Sequence, residues 1–230
     1  MPTKVVETFG ALSNIWKMIR NIIFDFGGVV HDIRYENVTE AIAALGIKGM
    51  EGFYGKHFQT HEMNLFEKGL ISPAEFRDYL RKTVGQPLTD QQIDDVMNAI
   101  LIDVPKERVA LLCALRHKYR TFLFSNTNQI NYECFTARLM EKYGFDIFEA
   151  CFERGYFSQM MNTRKPCADG FRIILEQNGL KADETLFIDD ISDNAEGARI
   201  AGLHAHHLTE PDISYLFDEG LNLKEDILKE

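Results

Sequence analysis

Four short polar tips punctuate the 230-residue sequence: Asp25 ahead of Gly27-Gly28, Ser125-Asn126, Lys165-Pro166 and Asp189-Asp190. Together they carry the groups that phosphoryl transfer needs. A carboxylate such as Asp25 can attack phosphorus and form an aspartyl-phosphate, which splits one difficult displacement into two easier ones. The Ser125 hydroxyl, with backbone N–H groups at a helix start, can hold phosphate oxygens. Lys165 supplies a point charge for the reacting oxygens, and a second carboxylate from the Asp189-Asp190 pair completes the hard oxygen set that Mg²⁺ takes. Singly, each tip has a plainer explanation as a turn, a helix cap or a solvated pair. Their occurrence in this order, each at or just beyond an expected strand end, points to a single site.

The elements that would position them follow from the apolar patterning. Ile22, Ile23 and Phe24 run straight into Asp25, and similar runs precede Ser125 (Thr121–Phe124) and Asp189 (Thr185–Ile188). Continuous apolar runs ending in polar residues read as buried parallel strands. Strand, polar tip and helix in repetition predict an α/β fold, a Rossmann-like doubly wound parallel sheet whose ligands bind beyond the carboxyl ends of the strands. Weaker strands are predicted near Ala150–Phe152 and His204–Leu208, and the tail from Pro211 is predicted to be helix packed on the core.

Between Ile33 and Val104 the pattern predicts helices only. Val38, Ala41, Ile42 and Leu45 share one helical face that Gly46 ends. Ser72-Pro73-Ala74-Glu75 is a capping box, and Thr89 opens a helix carrying Ile93, Val96, Met97, Ile100 and Leu101. The expected organisation is an extension over 1–17, a core from 18–32 and 105–230, and an α-helical cap over 33–104 placed as a lid above Asp25. Met18 reads as an alternative start.

At these residues the sequence resembles a known family. FDFGGVV, LFSNTN, RKP and FIDDISDN resemble the four ordered motifs of the haloacid dehalogenase-like superfamily. FEKGLISPAEF and DDISDNAEGARIAG are similar to the helical-cap branch that includes glucose-1-phosphate phosphatase and the phosphatase domain of soluble epoxide hydrolase. The resemblance implies Asp25 as nucleophile and magnesium ligand, Ser125 and the Asn126 amide as phosphate holders, and Lys165 as the group that steadies both. It also implies Asp190 as principal metal carboxylate, Asp189 as a second or water-mediated one, and the carbonyl of residue 27 as a further ligand. That residue departs from the family pattern: Gly27 stands where a second aspartate normally moves a proton. A positioned acid is commonly worth about 10²–10⁴-fold. Slow turnover is therefore expected, or an undemanding leaving group such as that of a sugar 1-phosphate. The alternatives are a metal-independent 2-haloacid dehalogenase and a binding protein that keeps the fold without turnover.

Composition narrows the partners. Asp plus Glu number 35 against 25 Lys plus Arg, a formal charge of −10 with no basic stripe, so nucleic acid is disfavoured and a small phosphorylated metabolite fits once a cation is bound. No apolar run reaches the roughly 20 residues of a spanning helix, and the first residues lack a signal-peptide core, so no membrane partner and a cytoplasmic setting are expected. The four cysteines are separated in sequence and contain no C-x-x-C pair, so reduced thiols are expected. Among the histidines, His31 is a surface or hinge residue or a substitute proton carrier, and His57 and His61 lie in the lid within possible reach of substrate. His204, His206 and His207 alternate along a strand, which does not suit a metal site.

Overall fold

The computed structural model describes residues 19–47, 60–224 and 227. The extension over 1–17, Met18 and His57 lie outside them. The strands are β1 (Asn21–Phe24), β2 (Asp32–Ile33), β3 (Leu101–Asp103), β4 (Arg120–Ser125), β5 (Arg154–Phe157), β6 (Thr185–Asp189) and β7 (His204–His207). The α-helices among the described residues are α1 (Tyr35–Ala44), α2 (His61–Glu67), α3 (Pro73–Val84), α4 (Asp90–Asn98), α5 (Lys106–Leu115), α6 (Gln129–Tyr143), α7 (Ile147–Cys151), α8 (Ser158–Met161), α9 (Ala168–Asn178) and α10 (Ser192–Ile200).

Five strands form one sheet of order β5-β4-β1-β6-β7, with every pair parallel. Both faces are covered, which is why the strands lack polar alternation. Ile22, Phe24, Leu123, Leu186 and Ile188 point into one apolar layer with Leu112 and Phe135. Ile23, Phe122, Phe124 and Phe187 point into the other with Phe171 and Ile174. Each such side chain contributes on the order of 1.5–3 kcal/mol when buried. The chain runs outward from β1 to β4 and β5, then returns to the other side of β1 for β6 and β7. The strand order therefore reverses about β1, and a crevice opens at its carboxyl end.

The segment between β2 and β3 has its own apolar centre, in which Val38, Ile42, Met63, Phe66, Phe76, Leu80, Ile93 and Met97 pack together. Phe66 stacks on Phe76 with ring centroids 4.2 Å apart. The capping box of α3 forms as the sequence predicts, Ser72 Oγ accepting from Glu75 N–H and Glu75 Oε2 accepting from Ser72 N–H. Thr89 and Gln92 make a second one on α4. A bidentate pair from Arg77 to Asp94, both contacts 2.8 Å, ties α3 to α4.

Several expectations need correction. The segment is not helices only, because β2 and β3 pair antiparallel at its two joints. Strands of two and three residues are too short to show periodicity, and their pairing joins residues remote in sequence. The strand expected near Ala150–Phe152 is helix α7, capped by Asp146, whose Oδ1 accepts from Phe148 and Glu149 N–H; the strand is β5, a few residues later. The tail is not a regular helix. Among the described residues it forms a 3₁₀ turn at Ile213–Leu216 and a bridge between Phe217 and Leu223, although its apolar side chains are buried as expected. Cys113 and Cys151, 38 residues apart in sequence on α5 and α7, are free thiols whose sulfurs approach to 2.7 Å. None of the described helices is long and apolar enough to cross a membrane.

Candidate active site

The polar tips of three adjacent strands meet at the crevice. Asp25 follows β1 directly, with its N–H donating to the Ile188 carbonyl of β6 (2.9 Å). Its Oδ1 accepts from Phe26 N–H at 2.6 Å and lies 2.6 Å from Lys165 Nζ. The same ammonium donates to Asp189 Oδ2 at 2.6 Å and sits over the Phe124 and Phe187 rings at 5.6 and 5.2 Å. Lys165 is 1% exposed, so a cation held between two carboxylates is sealed from water.

Lys165 does not follow a strand, as the sequence pattern suggested, but lies in the loop between α8 and α9. That loop is fixed from β4: Lys165 N–H donates to Asn126 Oδ1 (2.9 Å) and Asn126 Nδ2 donates to the Lys165 carbonyl (3.0 Å). The Asn126 side chain is thus committed to the lysine loop, and what it can offer an anion is its backbone. Ser125 ends β4 and lines the cleft. Contrary to expectation neither residue starts a helix, because α6 begins at Gln129 with Asn128 as its cap. Ser158 Oγ accepts from Thr127 N–H and donates to the Thr127 carbonyl, both at 2.9 Å, which pins the intervening loop.

Asp189 accepts at both oxygens: Ile191 N–H (2.8 Å) and Asn194 Nδ2 (3.1 Å) at Oδ1, Lys165 and Asn194 (3.0 Å) at Oδ2. Asp190 lies in the bend beyond the strand and packs against Gly28, where a Cβ would fall 2.7 Å from its carboxyl carbon. Gly28 also has φ +86°, a conformation that side chains resist. Strand alternation would have separated Asp189 from Asp190, but it ends with β6. Asp25, Asp189 and Asp190 each bring an oxygen within 4.8 Å of the others.

The electrostatics are those of an anionic site short of cations. Burial first, and then Asp189, push the Asp25 carboxyl well above its ordinary pKa, against the pull of Lys165. Burial likewise raises Asp189 despite Lys165 and its hydrogen bonds. Burial opposes the charge on Lys165, but Asp189 and Asp25 outweigh it and hold its pKa above the ordinary lysine value. Three carboxylates, those of Asp25, Asp189 and Asp190, thus gather beside the one ammonium of Lys165. That excess, displayed on hard oxygens, suits one Mg²⁺.

A Cβ on Gly27 would lie 3.3 Å from Ile33 Cδ1, a contact that a shift of a few tenths of an ångström at the end of that side chain relieves. His31 is buried rather than on the surface and bonds through Nδ1 to the Asp32 carbonyl at 2.8 Å. Since a carbonyl only accepts, Nδ1 carries the proton. His204, His206 and His207 each contact a different group, namely the Asp183 carbonyl, the Ile227 carbonyl with Tyr215, and the Asp190 carbonyl.

A model for haloacid dehalogenase-like hydrolases matches residues 19–202. The chain belongs to the haloacid dehalogenase-like hydrolase family. It is 29% identical over 177 residues to a D-ribitol-5-phosphate phosphatase of Bacteroides thetaiotaomicron, covering 77% of this chain and 85% of that one. Among solved structures, a haloacid dehalogenase family enzyme of B. thetaiotaomicron in complex with magnesium and inorganic phosphate superposes with a TM-score of 0.82 at 34% identity, over 87% of this chain and all of that one. A haloacid dehalogenase-like family hydrolase of Porphyromonas gingivalis gives 0.74 at 32% identity, over 82% and 90%.

For a member of this family, the sequence signals passed over four residues of the cleft. Tyr35, the first residue of α1, is near enough to Asp190, Asp25 and Glu67 that, after burial, their charges raise its phenol pKa far above the ordinary value. Glu67 and Arg164 pair across the cleft, and Asn194 holds Asp189. Asn194 and Arg164 stand inside or beside the quoted motifs, so proximity in sequence could have flagged them. Glu67 likewise stands inside the quoted FEKGLISPAEF; only Tyr35 carries no comparable signal.

Proposed function

We propose that the chain is a magnesium-dependent phosphatase that hydrolyses a small phosphate ester, most suitably a sugar or polyol phosphate, through an aspartyl-phosphate on Asp25. The observation that carries this reading is the placement of Asp25 Oδ1 between Phe26 N–H and Lys165 Nζ, beside Asp189 and Asp190. With Oδ1 held, Oδ2 is the oxygen left to attack phosphorus and break its bond to the alcohol oxygen, which takes its proton from solvent because Gly27 has none to give. Water then attacks the aspartyl-phosphate, releasing inorganic phosphate and returning Asp25 as carboxylate. Ser125 and backbone N–H groups of the loop from Asn126 orient the phosphoryl oxygens, and Lys165 balances their charge.

Asp25, Asp190 and the Gly27 carbonyl would hold Mg²⁺, with Asp189 fixing Lys165 and standing next to the ion. The bound ion would offset the repulsion between Asp25 and the phosphate dianion. This donor set also favours the phosphatase over a metal-independent haloacid dehalogenase, whose halide displacement has no use for three clustered carboxylates. In this reading the core comprises 18–32 and 105–230, the cap 33–104 and the extension 1–17; the separate apolar cluster between β2 and β3 supports the division of cap from core.

A panel of metabolite phosphates assayed with and without Mg²⁺, beside Asp25→Asn, tests the reading. Activity that needs Mg²⁺ and falls at least 10³-fold in the variant is expected. Equal activity in variant and wild type refutes the mechanism, and a wild type that forms no Asp25 adduct with phosphate or fluoroberyllate points to a binding protein instead.

A further inference from the structure

Glu67 is 3% exposed at the end of α2, and it is the one buried acid among the described residues that does not stand at a strand tip. Its Oε2 lies 2.9 Å from Arg164 Nε. Arg164 immediately precedes Lys165, whose backbone Asn126 clasps, so the pair is anchored on the core side at the catalytic lysine loop. Both side chains line the cleft that Asp25 and Ser125 also line.

A buried ion pair is a poor way to fasten one element to another, because removing two charges from water costs about as much as their attraction returns. The fastening is supplied by other contacts. Gly69 packs so closely on α8 that a Cβ there would fall 2.1 Å from the Gln159 carbonyl, and Asn162 Nδ2 donates to the Lys68 carbonyl at 2.9 Å. These contacts fix the end of α2 over the cleft whether or not residue 67 is charged. The ion pair therefore stands at the cleft wall, where a bound molecule would meet it. A carboxylate can accept several hydrogen bonds and guanidinium only donates, so the two together match hydroxyl groups, which do both.

We propose that Glu67 and Arg164 are the specificity-determining pair of the cleft, selecting phosphate monoesters of hydroxyl-rich, otherwise uncharged carbon chains. This deepens the phosphatase reading and rests on it. Glu67 accepts from substrate hydroxyls, Arg164 donates to them, and the Glu67 charge repels a second phosphate or carboxylate on the substrate.

The experiment compares three substrates with the Mg²⁺-loaded enzyme: a five-carbon polyol phosphate, an alkyl phosphate of the same length, and p-nitrophenyl phosphate. The wild type is expected to prefer the polyol over the alkyl phosphate. Glu67→Gln and Arg164→Lys should each lower kcat/KM for the polyol phosphate at least 10-fold, chiefly through KM, while p-nitrophenyl phosphate changes less than about three-fold. Equal losses on all substrates would make the pair structural and overturn the proposal, as would no loss on the polyol phosphate in whichever variant folds. A wild type that hydrolyses the aryl ester without preferring the polyol overturns this inference alone. A wild type inert on every ester defeats the phosphatase reading and this inference with it.

Discussion

Asn126 and Lys165 clasp each other through two hydrogen bonds, with Asn126 Oδ1 accepting from the Lys165 N–H and Asn126 Nδ2 donating to the Lys165 carbonyl. The backbone of a buried lysine is thereby referenced to the strand that carries Ser125. In Asn126→Ala the ammonium should lose its register on Asp25. Misplacing a catalytic group by about 1 Å can cost 10²-fold. A fall of that order in kcat is expected, with Mg²⁺ affinity little changed. A kcat within two-fold of wild type would show that Asp25 and Asp189 alone place the lysine.

The two adjacent glycines should respond differently to alanine. At Gly28 the added Cβ collides with Asp190 and φ is +86°, a combination that costs on the order of 1–3 kcal/mol and pushes a metal-cluster carboxylate aside. At Gly27 the added Cβ meets only the end of Ile33. Denaturant unfolding and Mg²⁺ titration should show Gly28→Ala losing both stability and metal affinity and Gly27→Ala keeping both. Equivalent behaviour of the two would contradict this geometry.

Acid should destabilise the protein partly through His31. Burial lowers its pKa, with Arg138 adding to the effect, while the Asp32 carbonyl and the Asp103 and Asp32 charges pull the other way without prevailing. The unfolded chain therefore takes up this proton more readily than the folded one. The stability at stake is fully present above the unfolded value near 6.5 and is lost as pH falls toward the lower folded value. Melting temperatures at pH 7.5 and 5.5 should differ less for His31→Gln than for wild type; parallel curves would exclude His31 as a source of the slope.

Ser72→Ala removes the cap of α3 at a residue that does not line the cleft. Loss of such a cap typically costs about 1 kcal/mol. Unfolding measurements should show that cost, with kcat/KM unchanged. A substantial activity change would mean that α3 is coupled to the site more tightly than its packing indicates.

What the sequence disclosed divides along physical lines. β1, β4 and β6 were legible because a strand buried on both faces must be a continuous apolar run, and their polar tips could be located for the same reason. The caps at Ser72 and Thr89 were legible because a capping box is a local contract between residues three apart. Ala150–Phe152 reads as strand because its residues are apolar, and only Asp146, ahead of the helix Ile147–Cys151 that takes in most of them, marks a helix start. The β2–β3 pair, the Cys113–Cys151 approach and the Glu67–Arg164 contact depend on residues that the fold alone brings together. Tyr35 belongs with them, since nothing in an aromatic at a helix start reveals that it faces Asp190.

The β2–β3 pair sets Arg34 N–H 3.0 Å from the Ile100 carbonyl, so the chain departs the core and rejoins it at one spot. A segment whose ends are neighbours can be excised or exchanged with little strain on its host. The stretch between these residues is in effect a cassette, and grafting the corresponding stretch of a relative onto this core would exchange Glu67 while leaving Arg164 and Asp25 in place.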